Sequence, residues 1–402
     1  MFFKKQGLKI AKNGNFFNLV REEFLKKGST TMKRHAIFWG IIFALALGLW
    51  GCSSGQKQSV NSKIRVRGLV DTVGFAHTAW QMDSIMQRIP RLQGKQLRQA
   101  WKRAHVTEHT AWKVAVSPHD DYGYVGYLYP AVLKEVKAKT VILFGVAHKA
   151  RLLHLENQII FDTYPYWHGP YGPIKVSSVR EEIEKELPQT VYQINDSMQT
   201  MEHSVEALLP FLQYYRKDRE IISILVPYMP YDRIEAIGRA LGQAIANVAR
   251  EHGWQWGKDF ALVISTDAVH YGDQDWGGKN FARYGTDEKG TRQAVAHEYE
   301  IIDSCLVGTI SPRKIKKFTE YTVDDKDFRK YKWTWCGRYS VPMGLMTAYY
   351  LSKNLNIPLN GRLIGYANSI DHAPLPVKDL HMGFTAPANP HHWVGYAALG
   401  WE

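Results

Sequence analysis

Strand-length runs with almost no polar residue alternate along this chain with segments of helical period. WKVAVSP (112–118), TVILFGVAH (140–148), IISILVP (221–227) and FALVISTDAVH (260–270) read as strands. A strand apolar at every position, not every second one, must be covered on both faces. QIIFD (158–162) and RLIGYANS (362–369) are further strand candidates. Between them, helical patterns are predicted at 127–137, 179–187, 203–216, 233–251, 288–306 and 341–354. Pro210 is expected to bend the 203–216 helix. The 233–251 helix carries small residues on its packing face. The fold class that follows is α/β: a central, mostly parallel sheet flanked by helices. In such sheets, sites form just beyond the C-terminal ends of the strands.

Chemistry-bearing side chains fall at those ends. The first strand exits into His119, Asp120 and Asp121, the second into His148, and the fourth into Asp267 with His270 one turn later. One histidine at a strand exit is ordinarily a hydrogen-bonded turn residue. Three exits of parallel neighbours would bring their side chains together. Neutral imidazoles with a carboxylate or thiolate suit a divalent first-row metal.

The start of the chain reads as targeting, not fold. MKRHAIFWGIIFALALGLWGCSSG opens at Met32 with Lys33 and Arg34 and continues through an uncharged stretch from Ala36 to Trp50. That stretch is short for a membrane span and ends in small residues, as signal peptides do. LWGC resembles a bacterial lipobox, which implies cleavage before Cys52 and lipid on its sulfur. The organisation expected is an upstream extension (1–31), a lipoprotein signal peptide (32–51), a tether (52–65) and one α/β domain (66–402). The localisation expected is the cell envelope, with the membrane as partner through the Cys52 anchor. Residues 1–51 hold nine Lys or Arg against two Glu, so +7 of the net +13 sits there and +6 on the rest. That mild excess, with no basic stripe interleaved with aromatics, argues against nucleic acid. Cys305, in an apolar helical run, and Cys336, in TWCGRYS, have surroundings too different to suggest a disulfide.

PHDDYGYVG, GVAHK, MEHSVEALLPF, STDAVHYG and TWCGRYSVP, with GFAHTAW (74–80) before them, occur in the order and spacing of the Memo family, which includes the B component of the AmmeMemoRadiSam system. The resemblance covers about residues 66–400. It implies a fold similar to class III extradiol dioxygenases, which hold non-haem iron with two histidines and a carboxylate. It further implies a metal site of His119, His148 and Cys336, iron or copper before zinc, with Asp267, His270 and His203 lining the same pocket. On that basis His270 is the acid–base candidate, Asp267 its orienting group and His203 a further catalytic candidate. Asp120, Asp121 and Arg338 are assigned to the metal's surroundings or to a small-molecule substrate or redox partner. Two departures stand out. The family's PHAGY is PHDDY here, and one histidine of its EHSIEMHLPF-like stretch is missing from EHSVEALLPF. The leading expectation is a lipid-anchored metalloprotein, and an oxygen-dependent redox enzyme if it is catalytic. The alternatives are a non-catalytic metal-binding or scaffold protein of the envelope, and a metal-dependent hydrolase or deacetylase, since PHDD resembles motifs of zinc deacetylases. Trp276–Gly285 is read as an aromatic-packed loop, and His372, His391 and His392 mainly as surface or loop residues.

Overall fold

The computed structural model describes residues 64–402. The upstream extension, the signal peptide, Cys52 and the tether through residue 63 lie outside the described residues. Among the described residues no helix is long and apolar enough to cross a membrane.

Four of the apolar runs are strands: β1 (Val114–Ser117), β2 (Thr140–Val146), β3 (Glu220–Val226) and β4 (Phe260–Ser265). They lie side by side in the order β3–β2–β4–β1, all parallel. β5 (Asn360–Asn368) and β6 (His392–Trp401) continue the sheet past β1, with β6 antiparallel to both β1 and β5. Short strands at 66–67, 166–167 and 174–176 extend the other edge. The sheet is therefore mixed, with a parallel centre.

Alternation along the strands explains why the runs are apolar throughout. Val114, Val116, Ile142, Phe144, Leu262 and Ile264 enter one core cluster. Ala115, Val141, Leu143, Ala261 and Val263 enter the other. Successive side chains point to opposite faces, and here both faces are covered. Helix α1 (Ala79–Arg103) covers the second face, opened by a capping box between Thr78 and Gln81. Helices α2 (Tyr231–Glu251), α3 (Glu288–Ile301) and α4 (Ser340–Leu355) pack on the first. α2 and α4 approach closely through glycine. A Cβ on Gly242 would stand 2.8 Å from the Thr347 carbonyl oxygen and 2.9 Å from the Leu351 nitrogen.

Pro210 does not bend a helix. It sits in the first turn of a short helix, Leu209–Tyr215, preceded by a 3-10 turn at Glu206–Leu208. The first turn is where a missing N–H costs nothing, so the proline starts the helix there. Cys305 and Cys336 are both buried free thiols.

Glu298 of α3 braces the loops around the sheet's C-terminal edge. Its Oε1 accepts from the indoles of Trp333 (2.6 Å) and Trp335 (2.7 Å), and its Oε2 from the Val269 N–H (3.1 Å). One carboxyl thus ties the 333–336 segment to the 267–270 segment. Burial pushes this carboxyl up to about 7 against those three donors.

Two predictions follow from this packing. Gly242→Ala is expected to lower unfolding free energy by about 1–3 kcal/mol, because helix backbone and not a flexible side chain must yield; denaturant titration reads it. For Glu298, the folded state holds its proton more tightly than the unfolded chain does. Its contribution is therefore full below about 4.5 and lost as pH rises through about 7. Wild-type stability should then fall by up to about 3 kcal/mol relative to Glu298→Gln between about pH 5 and pH 8. Parallel pH profiles for the two proteins would contradict this.

Candidate metal centre

Three parallel strands end at the same edge, and the residues just past those ends converge. His119 follows β1, His148 follows β2 and Asp267 follows β4. Cys336 reaches them from the turn before α4, where Gly337 is required: a Cβ there would meet Thr266 Oγ1 at 2.1 Å. One ligand atom each from His119, His148 and Cys336 lie within 4.8 Å of one another. His119 and Cys336 are each only 2 % exposed. The His148 side chain is 26 % exposed and forms the open side.

Hydrogen bonds fix which ring nitrogen each histidine presents. His119 Nδ1 lies 2.7 Å from Ser265 Oγ. The Ser265 hydroxyl proton is already given to the Ser204 carbonyl at 2.6 Å. The serine oxygen must therefore accept, so Nδ1 of His119 carries the proton and Nε2 is left with a free lone pair. That Nε2 stands 3.4 Å from Cys336 Sγ. His148 Nδ1 lies 2.9 Å from Glu202 Oε1. An ionised carboxylate can only accept, so His148 too carries a proton at Nδ1, which leaves Nε2 as the atom available to a metal. Glu202 is buried and also accepts from the backbone N–H groups of His148 (2.8 Å), His203 (3.0 Å) and Ser204 (2.9 Å). Burial opposes its charge, but the His148 and His203 rings and these donors outweigh it and hold the carboxyl below its usual range. An acceptor behind each ring is the arrangement that orients imidazole ligands.

The electrostatics match this donor set. Burial, and then the nearby His148 and His203 rings, hold His119 well below its usual value, so it is neutral. Burial and the adjacent Asp267 carboxyl push the Cys336 thiol well above its usual range, although its sulfur accepts from the Asp267 N–H at 3.1 Å. A thiol so placed ionises only when a cation is supplied beside it. Two free imidazole lone pairs with one such sulfur fit a first-row metal ion of intermediate softness.

The other sequence candidates surround this set in different roles. The His203 ring stacks on His148 at 4.9 Å and 8°. Asp267 does not hold His270; its Oδ1 accepts from the His119 backbone N–H at 2.8 Å. Burial and then Asp120 push Asp267 well above the usual carboxylate range. His270 has an atom within 4.8 Å of Asp267 and Cys336, yet its buried Nε2 has no hydrogen-bond partner. Burial and the neighbouring imidazoles lower it to about 3. Asp120 accepts from Tyr396 Oη at 2.7 Å, and Asp121 from the Thr385 N–H at 2.6 Å. Burial, then Asp120, raises Asp121 to about 8. These two aspartates line a cavity of about 510 Å³ with His119, His148, His203 and His270. Arg338 makes no ion pair among the described residues; it lies on the faces of Tyr331 and Tyr339.

Sequence reasoning missed Glu202, Ser265 and His392. Glu202 stands inside the quoted MEHS stretch, and a carboxylate beside a histidine was the available signal. His392 is buried and stacked on Trp276 at 3.8 Å, and it lines the same cavity instead of the surface. His391 pairs with Asp273 at the surface, and His372 pairs with Asp371 away from the triad.

The profile of a family described as Memo-like protein matches residues 85–376. A MEMO1 family protein of Pyrococcus abyssi is 30% identical over 167 residues, which is 39% of this chain and 52% of that protein. One from Aquifex aeolicus is 30% identical over 161 residues, 40% of this chain and 54% of its own length. One from Methanosarcina barkeri is 29% identical over 179 residues, 44% and 61% respectively. The chain thus spans about half the length of the curated relatives it matches. The matched region takes in both strand-end histidines and the cysteine turn, and the chain belongs to the Memo-like family.

Proposed function

We propose that this protein binds one iron or copper ion through His119 Nε2, His148 Nε2 and Cys336 Sγ, and that it acts in oxygen-dependent redox chemistry on a small molecule. The observation that carries the reading is the pair of fixed tautomers. Ser265 and Glu202 each occupy Nδ1 of a histidine; His119 then presents Nε2 to the buried sulfur, and His148 has a ring nitrogen within 4.8 Å of the same set. A thiolate in the set favours a soft or redox-active ion over magnesium or calcium. When bound, such an ion supplies one-electron redox chemistry and open coordination positions.

This chain's residues supply the rest. Burial of His119 and Cys336 keeps bulk water from two sides, and His148 leaves an approach on the third. His270, neutral and unpartnered at Nε2, is the acid–base candidate placed to meet a substrate over the site, and a bound substrate must raise it from about 3 for it to act as a base. Asp267, whose carboxyl burial and then Asp120 push well above the usual carboxylate range, stands beside it as the proton donor. The second reading is a metal-holding protein without turnover. It is favoured by the buried Nε2 of His270 having no hydrogen-bond partner among the described residues. The lipid anchor at Cys52 and the envelope location are proposed from the signal-like stretch at 32–52 alone.

Anaerobic purification followed by elemental analysis tests the metal set. Wild type is expected to carry near-stoichiometric iron or copper. Cys336→Ala should lose it while its melting temperature stays close to that of metal-free wild type. Full metal content in that variant would end the assignment. Glu202→Gln keeps its size but weakens the acceptor behind His148. It is expected to lower metal affinity about 10–100-fold in chelator competition. Oxygen uptake by the loaded wild type with reducing small molecules, against none, separates turnover from storage.

A further inference from the structure

A second cavity, of about 540 Å³, opens on the β2–β3 side of the triad and reaches both His148 and Cys336. Its wall contains Arg151, Lys279, Arg329, Lys330 and Arg338, and no Asp or Glu. The aspartates around the metal set all belong to the other cavity, which holds Asp71, Asp120, Asp121, Asp267 and Asp275. The triad therefore stands between an acidic chamber and a basic one, with His148 lining both.

Some of the basic charge is already answered. Arg329 pairs with Glu156 at 2.8 Å, and Lys330 approaches Asp327 at 3.6 Å. Arg151, Lys279 and Arg338 have no carboxylate within 4.0 Å among the described residues. Arg338 is the most telling of the three. It is 6 % exposed and its Nε has no partner. Its guanidinium carbon lies 3.5 Å from the Tyr331 ring centroid and 4.5 Å from that of Tyr339. Its Nη2 reaches only the Arg329 carbonyl oxygen, at 3.4 Å. Arg151 gives one N–H to that same carbonyl, at 2.6 Å. The two guanidinium groups are thus held side by side against one backbone oxygen, by stacking and not by acids. Gathering like charges in a partly dry site costs free energy unless an anion joins them. A guanidinium gripped by its aromatic faces keeps its donor edge for an oxyanion.

We propose that this basic cavity is an oxyanion-binding subsite that takes the carboxylate or phosphate of a small organic substrate, with Arg338 and Arg151 as its principal donors. Tyr228, Phe281 and Tyr331 give the cavity an aromatic wall for the substrate's apolar body. The molecule's other end then meets the side of the triad where His148 is open. This last placement rests on the proposed metal site; the anion binding itself does not.

The test is calorimetric titration of the full chain, stripped of metal by chelator, with benzoate, inorganic phosphate and benzyl alcohol. Saturable binding of at least one anion is expected, weakening as salt is added, with no saturable binding of the alcohol. Benzoate alone binding identifies a carboxylate subsite, and phosphate alone a phosphate subsite. Arg338→Gln and, separately, Arg151→Gln are expected to weaken the anion by about tenfold each. Arg151→Gln keeps the test open if the buried Arg338 variant fails to fold. Because the titrated chain carries no metal, the anion result stands or falls separately from the metal assignment. No saturable binding of either anion, or full affinity in both arginine variants, overturns the subsite.

Discussion

A buried negative charge at Glu202 holds the site together. It gathers three backbone N–H groups from two separate segments and one imidazole nitrogen. Leaving such a carboxylate short of donors would be costly, so its geometry is strongly determined. Through it, the exit of β2 and the 202–204 turn become one unit. Ser204 then passes the constraint on, since its carbonyl takes the Ser265 proton and so decides how His119 is protonated. The chemistry available at His119 is thus set by a carbonyl two bonds of the network away.

Much of this was legible in the sequence, for a physical reason. The central strands are apolar at every position because both sheet faces are covered, so their ends stand out wherever His or Asp appears. His119, His148 and Asp267 were visible on that logic. Cys336 was visible only through the resemblance, because no periodic pattern marks the turn that carries it. The partners were harder to read. Ser265 is the last residue of an apolar strand and looks like an interruption in it. β6 escaped notice because HWVGYAALGW mixes glycine and aromatics and pairs antiparallel at the sheet's interior, where no local signal reports the neighbour. His392 was misjudged for the same reason. α1 contains Pro90 and a kink at Gln93, both of which dilute its period.

The divided charge around the triad gives the family resemblance a local character. PHDDY in place of PHAGY adds carboxyl groups to one chamber, yet both are engaged by hydroxyl or amide donors and neither joins the triad. Burial, with Asp71 beside Asp120 and Asp120 beside Asp121, raises both carboxyls above their usual range, so they add less negative charge than their count suggests. The cationic groups on the other side have no such escape, because guanidinium stays charged. The two chambers therefore differ in net charge less than a count of acids and bases implies, and most of the difference lies on the basic side.

The position of β6 has a consequence for how the chain comes to be folded. This strand inserts between β1 and β5, with Leu399 beside Val116. During vectorial synthesis β1 emerges well before β6 and stays an unpaired edge on that side until residues 392–401 have been made. Contacts this distant along the chain slow folding, and an open apolar edge invites association with other chains. Ribosome-bound chains that lack the 392–401 strand are thus the stage at which a chaperone has most to protect.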